Sequence, residues 1–420
     1  MTDNHSKGKP IFYGWIVIAI SFIALFAIFG VRSAFGAFVG SWEAEFATGR
    51  SQIALISMLG YITFALFQPL MGKMNDHFGA RTILTLGILL TGAGLMLSSL
   101  ASELWHLVLF YSLIASIGMS ASSNVTATAV VTRWFEQKQG TVLGIVLAGM
   151  SVGQLILGPA SIFLIENYDW RFALNAFGVG ILLLAPLSII FMRSRPEDIG
   201  LQPFGSGRSN PGNGPSAVSA PTVPAPAKPA VSFLRSRTFW YLTLAQFACG
   251  FTDAGLISTH FIPYAEGRNF SVALIAAAFG TIAAFNILGT VGTGYLSDRL
   301  DRGKILATIY WSRAIVFILL LTLFDNPTGL VLFAIIYGLA ERAAAAPTSS
   351  LCAHHFKDMS IGLILGYVSI SHNIGSTAGS YIPGLLFDLT GSYVSSFIIS
   401  IVMLFASGLI VLKIADSRSG

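Results

Sequence analysis

Seven ionisable side chains stand inside long apolar stretches of this chain: Arg32, Asp253, His260, Arg313, Glu341, Arg342 and His372. Such groups are costly in an apolar medium and are kept where they face a partner or a polar cavity. A guanidinium holds its charge at any working pH and grips a carboxylate through two parallel hydrogen bonds, so an arginine here is a candidate anion contact. Histidine titrates near neutrality, so His260 beside an acid is a candidate proton carrier.

Asp253 and His260 are seven residues apart. On an α-helix that is two turns, which predicts one shared face and a separation of about 10 Å. An arginine could equally fix the acid, and a hydroxyl could satisfy the imidazole. Glu341 and Arg342 are adjacent, so they diverge by about 100° and cannot form a simple pair. Asp253 is the expected partner of Arg342. Arg313 reads as structural or interfacial. Asn124, Tyr337, His372 and Asn373 could orient a carboxylate or hydroxyl by hydrogen bonding, or tie helices together. No phosphate-binding loop, catalytic carboxylate pair or metal-spaced His/Cys set is visible, so neither an enzyme activity, a cofactor nor a metal is expected. The pair His354-His355 reads as a position at a helix end.

The elements that must carry these groups follow from composition. Of 420 residues, 54% are hydrophobic and 10% charged, with mean hydropathy +0.74, against roughly 25% charged in a soluble domain. That excludes a soluble enzyme, a nucleic-acid binder and a disordered scaffold. A spanning helix needs about 20 mostly apolar residues. Twelve such runs occur, at roughly 11–38, 52–74, 81–101, 104–132, 139–167, 170–193, 236–265, 271–296, 304–324, 328–352, 360–387 and 391–414. The first is too long for a cleaved signal and reads as a retained helix.

Residues 196–235 form the long polar stretch between the sixth and seventh runs, with eight of the sixteen prolines. It cannot bury a core and reads as a flexible linker. The chain thus divides into 1–195, a linker over 196–235, and 236–420. With the N-terminus inside, eighteen of the 24 Lys and Arg fall on cytoplasmic segments and three, Arg50, Arg171 and Arg268, on external loops. That bias predicts a multi-pass protein of the cell membrane with both termini cytoplasmic. It also explains the basic sequence pI of about 9.2 without nucleic acid.

Gly72-Lys-Met-Asn-Asp76-His-Phe-Gly79-Ala-Arg81 follows the second run, and Gly294-Tyr-Leu-Ser-Asp298-Arg-Leu-Asp-Arg302-Gly-Lys304 follows the eighth, 222 residues later. An acid four residues after a helix-packing glycine can meet the basic end of a neighbouring helix and latch it. Twelve helices, this doubled loop and a central linker resemble the major facilitator superfamily over about 380 residues. The resemblance implies an all-α membrane protein of two six-helix bundles around a cavity that opens alternately to either side.

Tyr13-Gly14-Trp15 with Arg32-Ser33 and Gly36, then Arg133-Trp134-Phe135-Glu-Gln-Lys138-Gln-Gly140 with Gly144, Gly149, Gly153 and Gly158-Pro159, are similar to the signatures of monocarboxylate transporters and oxalate–formate antiporters. Pro383-Gly384-Leu-Leu-Phe-Asp388-Leu-Thr390-Gly391-Ser-Tyr393 is similar to the same branch. The fifth-run glycines also permit close helix contacts.

The resemblance places Arg32 where that branch carries a carboxylate-binding basic residue. In the eighth run it places Asn286 at an acidic or amide position and Thr290 where an arginine is usual. The expected function is secondary active transport of small organic carboxylates, coupled to protons. The alternatives are exchange, proton-coupled drug export, or a non-transporting sensor. Expected substrate contacts are Arg32, Asn124, His260, Asn286, Tyr337, Arg342, His372 and Asn373. Proton carriers are Asp253, His260 and Glu341, and gating residues are Asp76, Arg81, Arg133, Asp298 and Arg302. The expected partners are the carboxylate, protons and the lipid bilayer.

Overall fold

A computed structural model describes residues 12–136, 139–206, 232–297, 299–322, 326–356 and 361–414. Asp298 and most of the expected linker, 207–231, lie outside them. The described residues are helical apart from short connections, with one isolated bridge between Phe135 and Phe204. We number the spans in chain order. The first half holds α1 (Gly14–Ser33, continued as Phe35–Phe46), α2 (Arg50–Phe78), α3 (Ala80–Ser99), α4 (Leu104 to Trp134, in pieces), α5 (Gln139–Asn167) and α6 (Trp170–Leu182 and Leu184–Phe191). The second holds α7 (Arg237–Gly250, Phe251–Ile257, Ser258–Gly267), α8 (Val272–Ser297), α9 (Arg302–Thr322), α10 (Pro327–Glu341 and Ala345–His355), α11 (Ile361–Thr390) and α12 (Val394–Val411).

Ten of these are long and apolar enough to cross a membrane. The seventh and eleventh of the expected runs are also helical from end to end. They are the two that carry Asp253, His260, His372 and Asn373, whose polarity dilutes their apolar character. The first run continues past its expected end at 38 as far as Phe46.

Glycines set how closely the helices approach. A Cβ on Gly149 would meet the Phe22 carbonyl oxygen at 2.6 Å, and one on Gly153 would collide with that of Phe26, so α5 lies backbone to backbone on α1. Gly144 meets nothing and has no such role. The second half repeats the device between α7 and α11, where Gly375 and Gly379 abut the carbonyls of Phe247 and Phe251. One apolar core gathers residues from Val17 to Met192, and another gathers residues from Phe233 to Ile414 together with Ala37 and Ile162.

The halves meet along one end. Asp388, in the last turn of α11, accepts the backbone N–H groups of Arg50 at 2.9 Å and Ser51 at 2.8 Å, capping the start of α2 from across the interface. Arg50 also donates to the Tyr393 hydroxyl at 3.2 Å. Farther in, Ser57 and Thr259 share a hydrogen bond of 3.3 Å and the Tyr61 hydroxyl donates to the Ala254 carbonyl at 2.5 Å. Beyond Phe64, the side-chain contacts of α2 turn to its own half, as between Gln68 and Asn124 at 3.2 Å. The bundles are therefore joined at the Arg50 end.

Candidate functional site

Arg32 lies two residues before the kink of α1 at Ala34. Its guanidinium carbon sits 4.0 Å from the centre of the Phe64 ring and 4.4 Å from that of Tyr61. Ring faces attract a cation without neutralising it. Among the described residues Arg32 forms no ion pair. Two acids farther along α1 are engaged elsewhere: Glu43 holds Arg50 at 2.7 Å and Glu45 holds Arg171 at 3.0 Å. Arg32, Phe35, Ser57, Tyr61, Tyr111 and Ser116 line a small cleft. Tyr61 spans the interface, so this cleft abuts α7 at Ala254, the residue after Asp253.

Across from it, α7 departs from α-helical geometry. Phe251–Ile257 is a π-helix, in which hydrogen bonds reach one residue farther than in an α-helix. Seven residues are then no longer two turns, and the shared face expected for Asp253 and His260 is lost. Asp253 turns to His372 of α11, whose Nε2 is 3.5 Å from Oδ1. His260 is buried between the Tyr393 hydroxyl, 3.0 Å from Nδ1, and the Ser380 carbonyl, 2.7 Å from Nε2. Tyr393 in turn contacts Arg50, so His260 belongs to the joined end of the interface.

Asp253 is the centre of a polar cluster. It accepts from the Cys249 thiol at 3.4 Å and from the Ala254 N–H. Arg313 reaches in from α9, fully buried, and donates to the Cys249 sulfur at 3.2 Å and to the Thr252 hydroxyl at 2.5 Å. The guanidinium is thus a permanent positive charge next to the acid, deep inside the second half and not at its periphery. Arg342, the expected partner of Asp253, makes no ion pair among the described residues. It follows the last residue of the first α10 segment, where the helix breaks. Pro347 has no N–H to give the Ala343 carbonyl, and Thr293 of α8 donates to that oxygen instead, at 3.0 Å.

Cys249, Asp253 and His372 bring a sulfur, an oxygen and a nitrogen within 4.8 Å of one another. Because an arginine already donates to the sulfur, the set reads as a charge cluster built on Arg313. Sequence reasoning did not assemble it. The four-residue step from Cys249 to Asp253 was a visible signal, whereas the approach of Arg313 and His372 depends on helix packing.

The remaining candidates separate. Glu341 is buried and accepts from Asn286 Nδ2 at 2.7 Å, with Gln154 of α5 facing the same carboxylate. Thr290, in place of the family's arginine, donates to Asn286 at 3.4 Å. Two neutral side chains, Thr290 and Asn286, thus lead by hydrogen bonds to the Glu341 carboxyl group. Tyr337 is fully buried, stacked on Phe333 and Phe317, and its hydroxyl donates to the Thr252 carbonyl at 3.4 Å. Asn124 is bound to Gln68, and Asn373 is half-buried beside His372. Of the gating set, Arg133 pairs with Asp76 at 2.9 Å, Arg81 is exposed and Arg302 is buried.

The sequence model of the Major Facilitator Superfamily matches residues 20–324 and 287–419, and the chain belongs to that superfamily. Monocarboxylate transporter 13 of Bos taurus is 27% identical over 408 residues, covering 95% of this chain and 89% of that protein. The uncharacterised MFS-type transporter YcxA of Bacillus subtilis is 25% identical, covering 94% of each. Among solved structures, a bacterial homologue of the human lysosomal transporter Spinster, in an inward-facing and unoccupied conformation, superposes with TM-score 0.74 at 16% identity, covering 98% of this chain and all of that one. This is a membrane transporter and not an enzyme.

Proposed function

We propose that this protein moves small organic carboxylate anions across the cell membrane by alternating access, coupled to protons, with both termini cytoplasmic. The observation that carries the reading is Arg32, a permanent cation unpaired by any acid among the described residues, held on two aromatic rings at the edge of an interfacial cleft. An unpaired charge in a low-dielectric site costs several kcal/mol, and a carboxylate entering the cleft offsets that cost. Of the cleft's hydroxyls, those of Tyr61 and Ser116 donate to the Ala254 and Tyr111 carbonyls, which leaves Ser57 and Tyr111 to donate to a carboxylate. The monocarboxylate transporters among the relatives support the same substrate class. With the positive-inside orientation, the joined Arg50 end faces outward, so this conformation opens toward the cytoplasm.

The test is a thermal-shift screen of purified protein against acetate, lactate, pyruvate, oxalate and succinate, with choline and tetraphenylphosphonium as cationic controls. A carboxylate that raises the melting temperature, with no shift from either cation, is the expected outcome. Stabilisation by the cations alone would point to drug export instead.

A further inference from the structure

The Asp253 cluster lies opposite Arg32, and its charges do not balance in a fixed way. Asp253 contributes one negative charge and Arg313 one permanent positive charge, so the pair is neutral by itself. His372 is the histidine of the cluster, and whether its ring carries one proton or two sets whether the cluster is neutral or positive. Both imidazole nitrogens have an acceptor in reach: Asp253 Oδ1 lies 3.5 Å from Nε2 and Ser376 Oγ 3.5 Å from Nδ1. The Ser376 hydroxyl already donates to the His372 carbonyl at 2.9 Å, which leaves its lone pairs for the ring. The side chain of His372 is 31% exposed while that of Asp253 is 9% exposed, so a proton reaches the histidine more readily than the acid. The other titratable or charged groups around the pair are Cys249 on α7, Tyr310 and Arg313 on α9, Tyr337, Glu341 and Arg342 on α10, and Tyr61 on α2.

We propose that His372, held against Asp253, carries the coupling proton, and that the Asp253–His260 pair does not. Proton uptake turns the cluster from neutral to a net single positive charge facing the cleft. A bound carboxylate balances that charge, so proton and anion each favour the other's binding by the same factor. His260 has both nitrogens committed to Tyr393 and Ser380 within its own half. This assignment rests on the carboxylate reading for the identity of the anion, but the proton site is testable without it.

In substrate-free protein labelled with 13Cε1-histidine, the His372 resonance is identified by its loss in His372→Gln. It should show one titration between pH 5 and 10.5, and Asp253→Asn should lower the midpoint by at least one pH unit, since the adjacent carboxylate favours the charged ring. No titration in that range, or an unchanged midpoint in Asp253→Asn, overturns the proposal. In proteoliposomes, an inward proton gradient should accelerate carboxylate uptake in the natural protein and in His260→Gln. It should accelerate uptake less than twofold in His372→Gln. Retained acceleration in His372→Gln also overturns it. Should no carboxylate be transported at all, the carboxylate reading fails, and the resonance measurement still decides whether the pair exchanges a proton.

Discussion

Arg32 and Arg313 are chemically alike and have opposite roles, and their surroundings explain the difference. Arg313 donates from both terminal nitrogens to Cys249 and Thr252 in a fully buried setting, while its Nε has no acceptor among the described residues. Arg32 rests on the ring faces of Tyr61 and Phe64, beside the Tyr61 hydroxyl, and has no acid partner among the described residues. Arg32→Ala should lower carboxylate affinity at least a hundredfold, read as loss of ligand-induced thermal stabilisation in a protein that still purifies as a folded species. Arg32→Lys should keep part of the affinity, because the charge survives while the two-pronged geometry is lost. Arg32 stands out in the sequence because its neighbouring residues define a motif. It could not place Arg342, His260 or Tyr337, whose surroundings are set by other helices.

At the scale of the element, twelve helical runs were readable because twenty apolar residues leave the chain few choices. The π-turn of α7 and the break in α10 were not; at the break Pro347 withholds a donor, and Thr293 on another helix replaces it. Glycine seams were half readable, since a glycine in the sequence does not say what lies opposite. Gly379 faces backbone, so Gly379→Val should cost about 1–3 kcal/mol through overpacking and lower the melting temperature. Gly144 faces open space, and Gly144→Ala should leave that temperature unchanged or raise it, because alanine favours the helix by roughly 0.5–1 kcal/mol. Equal destabilisation by the two would mean that packing at these seams does not follow the geometry described.

For the whole molecule, the division into two bundles was legible from the repeated loops, but which end is joined was not. Asp388 sits in a motif that the sequence assigned to a family without giving it a task. Its two oxygens cap the first turn of α2 in the opposite half, where a carboxylate also meets the positive end of the helix dipole. Replacing a cap costs about 0.5–2 kcal/mol, enough to shift a two-state balance several-fold. Spin labels at Thr48 and Ser392, near this end, should therefore show a larger long-distance population in Asp388→Ala than in the natural protein. An unchanged distance distribution would assign the closure of this end to other contacts. Asp76→Asn, which removes the Arg133 ion pair at the opposite end, should slow transport while ligand-induced stabilisation persists.

If a carboxylate crosses the membrane on Arg32, counterflow in proteoliposomes will reveal it. Vesicles loaded with an unlabelled carboxylate from the stabilising set are diluted into a trace of the same compound in labelled form, with no proton gradient or voltage imposed. The natural protein should accumulate label transiently, Arg32→Lys should do so more slowly, and Arg32→Ala should match empty vesicles. Accumulation by Arg32→Ala at the natural rate would contradict the account and move the anion site to Arg342.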